Sequence, residues 1–142
     1  MSAQPIIVEK VMNAPVSRVW QAITDKTKMK EWYFDIPSFE AKVGSEFRFE
    51  GGPDDKKYTH VCKVTEVVVN KKLQHSWRYE GYEGDSLVTW ELTDMGGKTK
   101  VKLTHTGLET FPALEAFKRS NFEAGWNDIV GSMLPGFVDK QD

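Results

Sequence analysis

Residues 73–107 read LQHSWRYEGYEGDSLVTWELTDMGGKTKVKLTHTG. Apolar and polar side chains alternate along this stretch in three runs, with glycine-containing breaks at residues 81–84 and 95–97. Alternation with a period of two is typical of a strand that has one buried face, and short connections join antiparallel neighbours. The stretch therefore predicts three antiparallel strands, at residues 73–80, 86–93 and 99–106.

The same pattern continues toward the N-terminus, with strands predicted at residues 6–12, 46–50 and 58–69. Apolar residues at helical spacing predict a helix at residues 16–24, which follows Pro15, and a second short helix at residues 26–32. A longer helix is predicted from about Leu114, with a break near Ser120. We expect Pro135 to kink or end it, because proline lacks the backbone donor and clashes with the preceding turn.

The alternation also identifies the side chains that face the interior of the sheet. Such a face fits two structures: a pocket for a small apolar molecule with a few placed polar groups, or a core in which the rings pack against the last helix. The predicted interior residues are Phe47, Phe49, His60, Cys62, Val64, Glu66, Leu73, His75, Trp77, Tyr79, Val88, Trp90, Leu92, Val101, Leu103 and His105.

Tight turns would determine which of these residues are neighbours, although a bulge of one residue would turn every following side chain over. The predicted rows are Leu73 with Leu92 and Val101; Glu66 with His75, Trp90 and Leu103; and Val64 with Trp77, Val88 and His105.

The composition excludes several classes of protein. A net charge of -2 over 142 residues argues against nucleic acid binding, which requires a basic surface. Cys62 is the only cysteine, so an internal disulfide and a CxxC site are excluded. No apolar run is long enough to span a membrane, and the first residues lack the features of a signal peptide. We expect one cytoplasmic domain over residues 1–142.

Glu66 and His75 are the best candidates for an acid–base pair, because a neighbouring carboxylate orients an imidazole and raises its pKa. The alternatives are a purely structural pair, or a Glu66 that a bulge turns to solvent. His60, His75 and His105 lie too far apart in the predicted rows to share one zinc ion, so no metal is expected. The sequence contains no nucleophile elbow, dinucleotide fingerprint or phosphate loop, and no cofactor is predicted.

Several motifs, taken in their order along the chain, resemble the START-like superfamily, also called SRPBCC or birch-pollen-allergen-like proteins. Within it the chain is similar to the branch of activator of heat-shock-protein ATPase homologue-like proteins. The resemblance implies an α+β helix-grip fold, in which a curved antiparallel sheet of about six strands surrounds a long C-terminal helix, with two short helices after the first strand. The motifs are Asn13-Ala14-Pro15, Val19-Trp20, Trp32, Val43-Gly44, Phe47, the LTHTG stretch at residues 103–107, and Gly125-Trp126.

The family implies a cavity between the sheet and the C-terminal helix, which different members use for lipids, sterols, polyketides or plant hormones. The chain departs from the family pattern at Glu66, His75 and Pro135. With the inward-facing His75 added, the predicted ligand-binding residues are Trp32, Phe47, Phe49, His75, Trp77, Trp90, His105, Trp126 and Val130.

Three functions are therefore considered. The first is binding of a hydrophobic small molecule, with His75 and His105 orienting a polar group and with Trp32 and the C-terminal helix controlling entry. The second is a cyclase or hydrolase-like enzyme that acts on a polyketide-type substrate through His75 and Glu66. The third is a stress-response accessory domain with a chaperone-type protein partner.

Overall fold

Six antiparallel strands form one curved sheet in the computed structural model of the chain, which describes residues 5–33, 36, 39–51, 58–112 and 117–139. The strands are β1 (Ile6–Met12), β2 (Glu46–Gly51), β3 (Tyr58–Val68), β4 (Lys72–Tyr79), β5 (Ser86–Asp94) and β6 (Thr99–Thr106). Their order across the sheet is β1-β6-β5-β4-β3-β2, so the first strand lies beside the sixth.

Two short helices, α1 (Val16–Thr24) and α2 (Lys26–Trp32), follow β1 at the predicted positions. After β6 come a 3-10 turn (Leu108–Thr110) and a helical run of three parts, α3 (Arg119–Asp128), a π-helical turn (Ile129–Met133) and α4 (Leu134–Val138). We call residues 119–138 the C-terminal helix. The expected start of this helix at Leu114 lies outside the described residues. The arrangement confirms the α+β helix-grip fold.

The C-terminal helix continues through Pro135 to Val138, so the expectation that it would end before the proline is wrong. The reason is local. In the π-helical turn the backbone N–H of Leu134 reaches back to the carbonyl of Ile129, and α4 then begins with Pro135 in its first turn. A proline is tolerated there because the first turn of a helix does not use its backbone N–H groups.

The predicted interior face is buried along all five strands that carry it, with the exception of Glu66. The C-terminal helix contributes one apolar stripe, and its Trp126 ring lies 5.5 Å from the ring of Trp77 and 5.9 Å from that of Trp90. The rings of the sheet and the helix therefore meet directly. The buried members of the helix stripe are Phe122, Trp126, Val130, Leu134 and Val138.

Of the three strand pairings whose registers were predicted, only that between β5 and β6 agrees with the prediction. Between β5 and β6, Leu92 pairs with Val101 as predicted. Between β4 and β5 the pairing is two residues away from the predicted one, so that His75 lies beside Val88. The pairing between β3 and β4 also lies two residues away from the predicted one, because a wider turn and a bulge each add one residue.

A cluster of aromatic rings closes the end of the sheet near Tyr79. The ring of Phe117 lies 4.6 Å from that of Tyr79 and 5.2 Å from that of Tyr82. The chain passes very close to itself there, because a Cβ atom on Gly84 would lie 2.8 Å from the carbonyl oxygen of Thr110. Gly84 also has a φ of +111°, which disfavours any other residue. This end of the interior is sealed.

Within the described part of the chain, no helix combines the length and the apolar character needed to cross a membrane.

Candidate ligand-binding site

A cavity of about 10 Å³ lies between the two short helices and the interior face of the sheet. A single water molecule needs roughly 10–15 Å³, so this space holds one water at most. Aromatic and aliphatic side chains from both sides form its walls. The lining residues are Ile23, Met29, Trp32, Tyr33, Phe39, Phe47, Phe49, Leu73, His75 and Trp90.

Hydrogen bonds at both ends of α2 hold the helical wall of the cavity. Asp25 caps α2, since its Oδ1 accepts hydrogen bonds from the backbone N–H groups of Thr27 at 2.9 Å and Lys28 at 3.3 Å. Trp32 donates its indole N–H to the carbonyl oxygen of Ala22 in α1 at 2.8 Å. Burial also raises the pKa of the Tyr33 hydroxyl well above its usual value, so this hydroxyl is neutral at pH 7.

The sheet wall is a row of packed rings. The ring of Phe47 lies 5.0 Å from that of Phe39 in an edge-to-face arrangement and 5.2 Å from that of His75. Phe49 stacks on His60, with the ring centres 4.5 Å apart. Such contacts stabilise aromatic side chains beyond simple burial.

His75 presents one bare ring nitrogen to the cavity. Its Nδ1 lies 2.9 Å from the carbonyl oxygen of Ser76, and because a carbonyl oxygen only accepts, Nδ1 carries the proton. Burial lowers the pKa of His75 from 6.5 to about 4, so the ring is neutral at pH 7 and Nε2 is an acceptor.

No described residue satisfies that acceptor. Within the described part of the chain, His75 makes one side-chain hydrogen bond, the one to Ser76. By contrast, every fully enclosed side-chain nitrogen or oxygen among the described residues has a partner. Nε2 of His75 is therefore not fully enclosed, and the open space that His75 lines is the cavity. The same reasoning applies to the indole N–H of Trp90, which lines the cavity and has no partner in the described part of the chain.

His105 is saturated by the protein itself. Trp126 donates its indole N–H to Nδ1 of His105 at 2.9 Å. The Oγ of Ser86 donates to the carbonyl oxygen of Trp77 at 2.7 Å and hence accepts the Nε2–H of His105 at 2.8 Å. Burial, with a further contribution from His75, lowers the pKa of His105 to about 3. This buried chain of hydrogen bonds joins the C-terminal helix to the sheet.

His60 lies beside the cavity wall rather than in it. Its Nδ1 is 3.0 Å from the carbonyl oxygen of Tyr58, and its ring packs between those of Phe49 and Tyr79. Burial lowers its pKa to about 4. The described residues contain no group of three or more His, Cys, Asp or Glu side chains arranged to hold a metal ion.

The predicted ligand-binding residues fall into two groups. Trp32, Phe47, Phe49, His75 and Trp90 line the cavity. The others lie in the packed region between the sheet and the C-terminal helix, where they contact one another: Trp77, His105, Trp126 and Val130.

Glu66 does not lie beside His75, so the candidate acid–base pair is wrong, and the alternative of a Glu66 that a bulge turns to solvent is confirmed. The register of β3 shifts between Val64 and Glu66, which places Val64 opposite His75 and turns Glu66 to the outer face. There its carboxylate lies 3.2 Å from Nζ of Lys72.

Sequence reasoning missed half of the cavity wall. Ile23 and Met29 carried a usable signal, because they lie on the apolar stripes of α1 and α2. Tyr33 and Phe39 carried none, since they follow α2 in a segment without periodicity. Leu73 was predicted to face the interior and does line the cavity, but it was placed in an aliphatic row away from the binding residues.

Residues 13–136 match the family model described as "Activator of Hsp90 ATPase homolog 1-like protein". The match extends over most of the chain, and the chain belongs to this family. Membership confirms the START-like, SRPBCC resemblance. A search of curated proteins finds no significant match.

Solved structures share the fold at low sequence identity. CV1439 from Chromobacterium violaceum is 20% identical, with a TM-score of 0.81 over 96% of this chain and 98% of that one. Mll3558 from Rhizobium loti is also 20% identical, with a TM-score of 0.82 over 95% and 96% of the two chains. DynU16, from the dynemicin biosynthetic locus, is 22% identical with a TM-score of 0.79. That alignment covers 97% of this chain but 48% of DynU16. Similarity at this level of identity shows the fold alone.

Proposed function

We propose that this member of the family binds a small, largely aromatic molecule in the cavity beneath α2, and that α2 moves outward to admit it. One observation carries the proposal: the interior retains a space with aromatic walls, onto which a ring nitrogen of His75 opens that no described residue satisfies. Small-molecule sites have this composition, with apolar walls and a few polar atoms.

The walls would supply most of the binding free energy. Burial of about 200 Å² of apolar ligand surface contributes about 5 kcal/mol, which corresponds to a dissociation constant of roughly 0.2 mM. Edge-to-face contacts with Phe47 and Trp90 would add to this value. A flat aromatic molecule therefore suits the site better than a flexible chain, which loses more conformational entropy on binding.

The volume of the cavity requires one wall to move. Pockets for small molecules measure about 300–1,000 Å³, whereas this cavity measures about 10 Å³. We assign the movement to α2, because a helix of seven residues is marginally stable on its own and one indole hydrogen bond joins its Trp32 to α1. The C-terminal helix is held more firmly, because its whole apolar stripe is buried, whereas α2 buries only Met29 and Trp32.

Binding is favoured over catalysis on the geometry of His75. A general base needs a partner that orients it and tunes its pKa. His75 has lost its predicted partner, and no carboxylate among the described residues is hydrogen-bonded to it. The occurrence of DynU16 in a biosynthetic locus is compatible with a fold that handles small organic molecules. The chaperone-type partner stays a prediction.

A titration with 2-methoxynaphthalene, followed by intrinsic tryptophan emission, tests the proposal. Trp32 and Trp90 lie in the cavity wall, so occupation should change the emission and saturate at millimolar concentration. No saturable change, confirmed by equilibrium dialysis, would contradict the proposal.

Two variants show whether the probe occupies this cavity. Leu73 and Leu103 flank Trp90 in the same row of the sheet, and both are buried, but only Leu73 lines the cavity. Leu73→Phe should weaken binding at least tenfold, since it fills the space. Leu103→Phe enlarges the core by the same amount and should leave the affinity unchanged. Equal losses in both variants would place the probe elsewhere.

A further inference from the structure

Nε2 of His75 is an acceptor that opens onto the cavity, and it indicates the chemistry of the bound molecule. This step rests on the proposed function, since it concerns the same site. We propose that Nε2 of His75 accepts a hydrogen bond from the ligand, so that the natural ligand is a neutral aromatic molecule carrying a hydroxyl or N–H donor rather than a carboxylate.

The proton on His75 is held in place by the backbone. Ser76 lies directly after His75 in β4, and its carbonyl oxygen accepts the Nδ1–H at 2.9 Å. If the proton moved to Nε2, the lone pair of Nδ1 would face the lone pairs of that carbonyl oxygen. The tautomer is thus determined by the protein, and the nitrogen left for the ligand can only accept.

The surroundings of His75 exclude a negatively charged ligand. The described residues that line the cavity are aliphatic or aromatic apart from His75, and none of them is a lysine or an arginine. A carboxylate would be buried without a cation and would face the lone pair of Nε2, and both effects oppose binding. A molecule without any donor would leave Nε2 without a partner after the cavity closes, which costs free energy as well.

Trp90 makes a hydroxyl a better match than an amine. It pairs with Leu73, so it is the diagonal neighbour of His75 across β4 and β5. Its indole N–H also opens onto the cavity without a partner. A hydroxyl both donates and accepts, so a phenol-type group can satisfy His75 and Trp90 together.

The test compares three probes of one shape at pH 7: 2-naphthol, 2-methoxynaphthalene and 2-naphthoate. For the unmodified protein we expect 2-naphthol to bind about three- to tenfold more tightly than 2-methoxynaphthalene, and 2-naphthoate to bind most weakly. This comparison needs no variant. Equal affinities for 2-naphthol and 2-methoxynaphthalene, or tighter binding of 2-naphthoate, would overturn the inference.

Variants then assign the preference to His75. In His75→Phe the preference for 2-naphthol should disappear, and in His75→Gln it should return in part, because the amide oxygen accepts. His60→Phe is the matched control, since His60 is a buried histidine of the neighbouring strand and does not line the cavity. It should keep the full preference. A preference that survives in His75→Phe would also overturn the inference.

The two proposals fail in different ways. Suppose that 2-methoxynaphthalene binds with the dependence on Leu73 described above, but that the three probes bind with equal affinity. Binding in the cavity is then supported, and the role of His75 is contradicted. If none of the probes binds, both proposals fall.

Discussion

The indole N–H of Trp126 donates to Nδ1 of His105 at 2.9 Å, across the boundary between the C-terminal helix and the sheet. Both residues are buried, and the other nitrogen of His105 is bonded to Ser86. A polar contact in an apolar interior has one favourable geometry, so it specifies how the helix lies on the sheet, whereas apolar packing alone permits small shifts.

The first prediction concerns this bond. Trp126→Phe should lower the free energy of unfolding by about 1–3 kcal/mol more than Trp90→Phe does, because it leaves Nδ1 of His105 buried without a donor. Trp90 is a suitable control, since its indole N–H has no hydrogen bond in the described part of the chain. Urea unfolding at pH 7.5 measures both values. Equal costs would mean that the bond contributes nothing.

The second prediction is loss of stability in mild acid. Burial lowers the pKa values of His60 and His75 to about 4 and that of His105 to about 3. Below pH 6.5 the unfolded chain takes up protons that the folded protein does not, so stability falls until the pH reaches the folded values. At pH 5 the loss is roughly 2 kcal/mol per histidine. Urea midpoints between pH 7.5 and 4.5 measure it.

A histidine variant is the control for the predicted loss of stability in acid. His60→Phe removes one of the three titrating groups and should flatten the pH dependence by about one proton, that is about 1.4 kcal/mol per pH unit. Stability that stays constant between pH 6.5 and 5 in the unmodified protein would show that these histidines are accessible to protons in the folded state.

The third prediction concerns the attachment of α2. Trp32→Phe removes the hydrogen bond to Ala22 and keeps an aromatic ring in the cavity wall. If α2 opens to admit the ligand, association of 2-methoxynaphthalene should become about two- to tenfold faster, since the lost bond contributes about 0.5–1.5 kcal/mol to the closed state. Stopped-flow fluorescence measures this rate.

Trp20→Phe is the matched control for α2. Trp20 is a buried tryptophan of α1, and within the described residues its indole N–H makes no hydrogen bond. Its replacement should leave the association rate unchanged. Faster association in both variants would indicate general loosening of the fold rather than opening at α2.

The fourth prediction concerns the sealed end of the sheet. Gly81→Ala and Gly84→Ala place the same methyl group in the same connection, and both residues have positive φ values. At Gly81 the new methyl meets nothing, so the cost is conformational strain of about 1 kcal/mol. At Gly84 it meets the carbonyl oxygen of Thr110 and the ring of Phe111, so the cost should exceed 2 kcal/mol. Similar thermal midpoints for the two variants would contradict this account.

The fifth prediction follows from the outward position of Glu66. Glu66→Gln should change the free energy of unfolding by less than about 0.5 kcal/mol, because its partner Lys72 is a surface residue. The affinity for 2-methoxynaphthalene should stay the same. A large loss of affinity would show that Glu66 is part of the binding site.

The sequence predicted the elements and most of the interior face, because strand alternation and helical stripes depend on neighbouring residues only. The helix bounds Val16–Thr24 and Lys26–Trp32 were correct. Registers depend on single residues in turns and bulges, and the pattern does not record them. For this reason Leu92 was placed correctly beside Val101, whereas Glu66 was not placed correctly beside His75.

The cavity could not be predicted from local pattern. It forms where α2 and the residues after it approach the sheet, and this approach is decided by long-range packing. Tyr33 and Phe39 reach the wall from a segment with no repeat. The availability of Nε2 on His75 depends further on one side-chain rotamer and on the carbonyl of Ser76.

The pairing of β1 with β6 has a consequence for how the chain folds as it is made. Ile6 of β1 pairs with His105, which is synthesised much later. Arg18 of α1 donates to the carbonyl oxygen of Val138, 120 positions further along the chain. At a synthesis rate of 5–20 residues per second that interval lasts roughly 6–24 seconds. During this time the apolar side chains of β1 have no sheet to join. Ribosome-bound chains should therefore resist protease only after β6 and the C-terminal helix have emerged.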